Sequence, residues 1–142
     1  MPDTSCVVPA LSPLHEHHER VTRELAGRFD RGETLIMAGP VLIEAYSVLT
    51  RVPRPIRGLS AGTRTSLQET FVSRAAEIAV LDARAYWQLV EQAPEREITG
   101  GAVYDAVIAA CAVAARVDVL LTFNDRHFRR LLAGLVEVVV PT

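Results

Sequence analysis

Four carboxylates lie far apart in this chain, and each sits among apolar or small neighbours. They are Asp3 in Asp3-Thr4-Ser5, Glu44 in Pro40-Val41-Leu42-Ile43-Glu44, Asp105 in Val103-Tyr104-Asp105-Ala106 and Asp125 in Thr122-Phe123-Asn124-Asp125. An ionised carboxylate gains nothing from such surroundings, and one taken out of water needs a partner or a metal. Several brought into one cleft repel each other and raise each other's pKa unless a cation neutralises them. The set predicts a divalent-metal site at the mouth of an α/β sheet. Oxygen donors of this kind suit Mg²⁺ or Mn²⁺ rather than zinc. His15, His17 and His18 offer a zinc alternative through the i, i+3 pair, but no third ligand stands nearby, and a solvated helix start is the better reading.

Each acid has a plainer reading beside the metal one. Asp105 has Gly101, Ala102, Ile108 and Ala109 one helical turn away, all small or apolar. A helix that is apolar nearly all round is a core helix, and its dipole contributes only about 0.3–1 kcal/mol to a first-turn carboxylate. The plain alternative is an exposed charge at a helix start. Asp3 is expected to end the first strand, where open α/β sheets collect ligands, although an Asp-Thr turn cap needs no function. Glu44, on the helix after the second strand, is unremarkable alone and gains weight from the others. After the strand around Val119–Leu121, either Asn124 or Asp125 could face the site, and Asp125 could instead cap the next helix.

The elements that must position these groups follow from periodicity and punctuation. A short strand is expected in residues 1–8, cut short before Asp3, with Val7 and Val8 beyond it. A polar-rich helix opens at His15 and runs to about Arg28, and a strand spans 34–38. Gly39-Pro40 then turns the chain into the helix that carries Glu44. The stretch 51–58 is basic and broken by prolines. Helices are expected at 60–76, 83–92, 102–116 and 126–133, with strands at 77–81, 118–122 and 135–140. Asp82 is placed to cap the second of those helices. Strands alternating with helices imply a parallel sheet with crossover connections.

Composition narrows the chemistry. The 142 residues fit one domain, 49% of them are hydrophobic, and the net charge of −2 supplies no global basic field. All 15 basic residues are arginine. Without lysine there is no Walker-type phosphate loop, no Schiff base and no lysine-assisted phospho-aspartate chemistry. Metal-dependent hydrolysis is the natural remaining option for a carboxylate-bearing parallel sheet. Cys6 and Cys111 show no disulfide or metal spacing, and Cys111 in its Ala/Val run reads as a small core residue. No signal peptide is apparent, and the apolar run at 106–115 is shorter than the roughly 20 residues that span a bilayer. A cytoplasmic protein without a membrane segment is expected.

In order and spacing, four segments together resemble the PIN-domain ribonucleases, in particular the VapC-type toxins of bacterial toxin–antitoxin modules. They are Asp3-Thr4-Ser5-Cys6-Val7-Val8, Val41-Leu42-Ile43-Glu44-Ala45-Tyr46-Ser47-Val48-Leu49, Tyr104-Asp105-Ala106-Val107-Ile108-Ala109-Ala110 and Leu120-Leu121-Thr122-Phe123-Asn124-Asp125-Arg126-His127-Phe128. The resemblance covers essentially the whole chain. It implies one PIN domain over 1–142, a three-layer α/β sandwich whose central, mostly parallel sheet has about four or five short strands between helices.

The resemblance also implies a mechanism: Asp3 and Asp105 hold Mg²⁺ or Mn²⁺, and Glu44 is a further ligand or a water-mediated partner. Glu44 or Asp125 orients the attacking water or completes a second metal, while Ser5, Thr122 and Asn124 position ligands or bind substrate. The expected reaction is hydrolysis of an RNA phosphodiester by metal-activated water. A VapB-like antitoxin and a homodimer are the expected partners. Two departures stand out: Asn124 occupies a place where many PIN domains carry an acid, and only Met1 and Pro2 precede Asp3. The first keeps open a catalytically weak module that binds RNA or a protein; a metal-dependent DNA nuclease of the same fold is another alternative. Arg51, Arg54 and Arg57 form one possible phosphate patch and Arg126, Arg129 and Arg130 another, against the plain reading of solvated arginines.

Overall fold

The computed structural model describes residues 1–51 and 60–142. Arg54 and Arg57 lie outside those residues. Asp3 sets the start of the first helix, α1 (Thr4–Ala10), because its side chain accepts the backbone N–H of Cys6. Val7 and Val8 therefore lie within a helix, where the sequence reading had placed them beyond a strand. Two adjacent valines favour extended chain, but here a capped first turn and burial of Val7 outweigh that preference. The strand before Asp3 shrinks to Pro2, which bridges in parallel to Leu121. The Leu121 N–H donates to the Met1 carbonyl at 2.8 Å and the Asp3 N–H to the Leu121 carbonyl at 2.9 Å.

Helix α2 (His18–Asp30) begins after the histidine cluster's first members and buries Val21 and Leu25. Strand β1 (Ile36–Ala38) runs straight into α3 (Gly39–Arg51). A side chain at Gly39 would place its Cβ 2.8 Å from Cγ1 of Val80, which would then have to move. Helix α4 (Ser60–Leu67) passes into one π-helical turn, Gln68–Val72, that buries Phe71. Strand β2 (Glu77–Ala79) leads to α5 (Ala83–Gln92), followed by α6 (Ala102–Ala114), β3 (Val119–Leu121), α7 (Asp125–Leu132) and β4 (Glu137–Val139). No described helix is long and apolar enough to cross a membrane.

All strand pairing is parallel, as the alternation of elements requires. β1 pairs with β2 in the register Ile36↔Glu77 to Ala38↔Ala79, and β3 with β4 from Val119↔Glu137 to Leu121↔Val139. The described residues thus form an α/β fold with four strands in two two-stranded sheets, where one continuous sheet was expected. The strands are three residues each, so few ladder bonds are available to join the pairs. Packing makes up the difference. Met37, Val41, Ile108, Leu120, Leu121, Phe128 and Leu132 are almost fully buried in one core shared by strands and helices.

Asp82 caps α5 as its sequence position predicts, accepting the Ala85 N–H at 2.7 Å. Asp82→Ala is expected to cost about 1 kcal/mol of stability, read as a lower urea midpoint with unchanged slope. An unchanged midpoint would show that α5 is held by its buried Leu89 alone.

Candidate active site

Asp3 is held where three elements meet: the Pro2 bridge, the start of α1 and the end of β3. The residue is only 3% exposed. Its Oδ1 accepts hydrogen bonds from the Ser5 hydroxyl at 2.7 Å and the Cys6 N–H at 3.1 Å, and its Oδ2 accepts from the Thr122 hydroxyl at 2.6 Å. Burial pushes the carboxyl up to about 6, against the opposing effect of those three donors and with a further push from the charge of Asp105. Thr122 and Ser5 also fix the loop after β3. The Thr122 hydroxyl oxygen accepts the Asn124 N–H at 2.8 Å, and the Ser5 hydroxyl oxygen accepts the Phe123 N–H at 2.8 Å.

That loop aims Asn124 at the second acid. Asn124 occupies the N-cap position of α7 but makes no side-chain cap bond. Its Nδ2 instead donates to Oδ2 of Asp105 at 2.7 Å. Asp105, in the first turn of α6 with its side chain 19% exposed, also meets Nδ1 of His127 at 3.1 Å. Glu44 arrives from α3, partly buried, and its Oε2 accepts the Thr4 hydroxyl at 2.6 Å. Glu44 is thereby tied to the residue beside Asp3, and Asp105 to the loop that also holds Asp3 through Thr122.

Asp3, Glu44, Asp105 and Asn124 line one cleft of about 480 Å³. Asp125 does not. As the first residue of α7 it points along its own helix, and its Oδ2 pairs with Nε of Arg129 at 3.0 Å, four residues on. The geometry therefore favours Asn124 over Asp125 at the position that the sequence left open. Arg51 is exposed at the end of α3, its Nε donating to the Ser47 carbonyl. Arg126, Arg129 and Arg130 are exposed along α7. The histidines do not form a zinc pair, because His18 Nδ1 bonds the Pro9 carbonyl at 2.8 Å. His15 and His17 line the cleft instead.

Sequence reasoning gave no role to Thr4, His127 or Phe123, all of which touch the carboxylate cluster or its wall. His127 carries a usable signal, since it stands three residues after Asn124 and so shares its helix face. Thr4 has one only in hindsight, as the residue beside Asp3.

The donor chemistry fits a hard dication. Among the described residues no arginine forms an ion pair with Asp3, Glu44 or Asp105; the one such contact is His127 with Asp105. Among the described residues, that leaves the cleft acidic without an arginine against it. No three Asp, Glu, His or Cys side chains of the described residues close round a common point. A hydrated ion would fit both observations, because Mg²⁺ keeps several waters and takes only one or two carboxylates.

Both the sequence and the fold match known proteins. Residues 1–132 match the PIN domain. Ribonuclease VapC40 of Mycobacterium tuberculosis is 37% identical over 141 residues, covering 99% of this chain and 98% of that protein. Ribonuclease VapC27 of the same species is 36% identical over 116 residues, covering 82% of this chain and 78% of that protein. Among solved structures, VapBC2 from Rickettsia felis, bound to a DNA fragment from their promoter, contains a chain with the same fold. The TM-score is 0.66 at 20% identity, covering 100% of this chain and 98% of that one. The chain belongs to the PIN-domain family, among its VapC-type ribonucleases.

Proposed function

We propose that this VapC-family ribonuclease is the toxin of a toxin–antitoxin pair and cuts RNA internally with water activated by Mg²⁺ or Mn²⁺. The observation that carries the reading is one cleft receiving Asp3, Glu44 and Asp105 with no arginine among the described residues paired to them. Asp3 and Asp105 would hold the ion. When bound, such a dication lowers the pKa of a coordinated water and neutralises charge on the phosphate.

The chain's own residues do the rest. Ser5, Thr122 and the Cys6 N–H clamp both oxygens of Asp3, which fixes the direction of its remaining lone pairs. Asn124 does the same for Oδ2 of Asp105, leaving Oδ1 for the cleft. Glu44, steadied by Thr4, stands as a further ligand or as the group that orients the attacking water. Asn124 thus takes the fourth place as a neutral donor, with Asp125 outside it. Arg51 and the arginines of α7 are placed on the surface to meet RNA phosphates.

The partner follows from the same charge. A VapB-like antitoxin that laid an arginine across the cleft would pair with the carboxylates and exclude RNA in one step. The R. felis relative was itself solved as a VapBC assembly on promoter DNA. Ile43 and Tyr46, 75% and 39% exposed and three residues apart on α3, offer an apolar surface for self-association into a homodimer. The expected setting is the cytoplasm.

Incubating the purified protein with RNA and with DNA, under Mg²⁺, Mn²⁺ or chelator, tests the reading. RNA fragments should appear with either metal and vanish with chelator, while DNA stays intact. Cleavage of DNA would make it a nuclease of the other substrate class, and cleavage that survives chelation would remove the metal. Binding of RNA without cleavage would favour the weak module that Asn124 keeps in view.

A further inference from the structure

One wall of the acidic cleft is aromatic. The His17 ring lies on the Phe123 ring with centroids 4.1 Å apart and planes at 16°, and the His15 ring leans against His17 at 5.4 Å and 48°. The Arg20 guanidinium carbon stands 5.1 Å from the Phe123 centroid. His15, His17 and Phe123 all line the cleft that contains Asp3, Glu44 and Asp105. None of the three rings is fully buried, and the His17 side chain keeps 28% of its surface open.

The wall is also geared to the carboxylates. Phe123 sits between Thr122, which donates to Asp3, and Asn124, which donates to Asp105. Its own N–H is held by Ser5, which donates in turn to Asp3. The ring is fixed one residue from each of the two side chains that orient Asp3 and Asp105. Stacked rings left partly open to a cleft suit a nucleobase, because unstacked RNA bases lie readily on aromatic faces, histidine included. Every base has a π-face, so such a wall binds RNA with little demand on sequence.

We propose that His15, His17 and Phe123 form a nucleobase subsite, on which one RNA base next to the scissile phosphate stacks while Asp3 and Asp105 face that phosphate. Arg20 supports the Phe123 ring from its own side by a cation–π contact. The inference rests on the ribonuclease reading above.

The test replaces single nucleotides flanking the cleaved bond, in turn, by abasic ones and measures KM with Mg²⁺. The unaltered protein should show a rise in KM of about tenfold at one position, and little at the others. His17→Ala should raise KM for intact RNA by a similar factor and no longer respond at that position. His17→Phe, which keeps an aromatic ring, should restore both, and this separates lost stacking from lost folding. An unaltered protein that cuts RNA yet ignores every abasic position would remove the subsite and leave the ribonuclease standing. One that cuts no RNA would remove both. His17→Ala with normal RNA kinetics but weakened restraint by the antitoxin would assign the wall to that protein and overturn the proposal.

Discussion

Asp105→Asn is expected to lower RNA cleavage by about a hundredfold to a thousandfold in Mg²⁺, with the fold intact. Several kcal/mol of transition-state stabilisation comes from a metal held opposite a phosphoryl oxygen, and each 1.36 kcal/mol is a factor of ten. The substitution keeps the size of the side chain but removes the charge from a group whose Oδ2 is in hydrogen-bond contact with Asn124 and His127. Stability should change little. The side chain is 19% exposed, and its favourable place in the first turn of α6 is worth about 0.3–1 kcal/mol. Asp125→Asn is the matched control. It breaks an exposed i, i+4 pair with Arg129 worth about 0.3–0.5 kcal/mol and touches nothing in the cleft, so cleavage should change less than about twofold. Initial rates and thermal midpoints of the two variants decide the matter. Equal losses in both would return Asp125 to the site, and a normal rate in Asp105→Asn would remove Asp105 from it.

The contrast between these two aspartates shows what sequence can and cannot resolve. Asp105 was legible because its neighbours on every side of α6 are small or apolar, and no solvated face explains a charge there. Asp3 and Glu44 were legible through their positions relative to strands and helix starts. Asn124 against Asp125 was not, since both side chains leave the same turn and a rotation of one residue exchanges them. The Thr122 hydroxyl decides it by taking the Asn124 N–H, which fixes the turn before α7 begins.

The elements divide in the same way. The span 39–51, the Asp82 cap and all four strands follow from local chemistry, and the structure places them within a few residues of expectation. Helix α1 was missed because Val7 and Val8 favour a strand, and its capping bond depends on Asp3 being buried against β3. The split into two strand pairs is a matter of tertiary packing, with no mark in any single segment. The aromatic wall was hidden too. His17 and Phe123 are more than a hundred residues apart, and only the docking of α2 against the loop after β3 brings their rings together.

In the presence of chelator, the protein should lose thermal stability as pH rises from about 4 to 6, and Asp3→Asn should remove that loss. Burial holds the Asp3 carboxyl at about 6, where the unfolded chain has the ordinary 3.8. Between those values the folded state binds the proton more tightly than the unfolded one, so raising the pH disfavours folding, and the full penalty is present above 6. At 1.36 kcal/mol per pH unit the penalty is roughly 3 kcal/mol. Other groups slope differently; Glu33, held low by Arg28, loses stability as pH falls instead. The difference between the parent protein and Asp3→Asn isolates the one carboxyl. Mg²⁺ competes with the proton for the same oxygens, so its stabilisation should be larger at pH 7.5 than at pH 5. Cleavage at subsaturating Mg²⁺ should fall below about pH 6 and recover when more is added. An Asp3→Asn slope equal to the parent's would mean that burial does not penalise this carboxylate. A Mg²⁺ shift equal at both pH values would mean that the ion binds elsewhere, since a site that tolerates a buried charge only for the sake of a cation must lose that cation when the charge is titrated away.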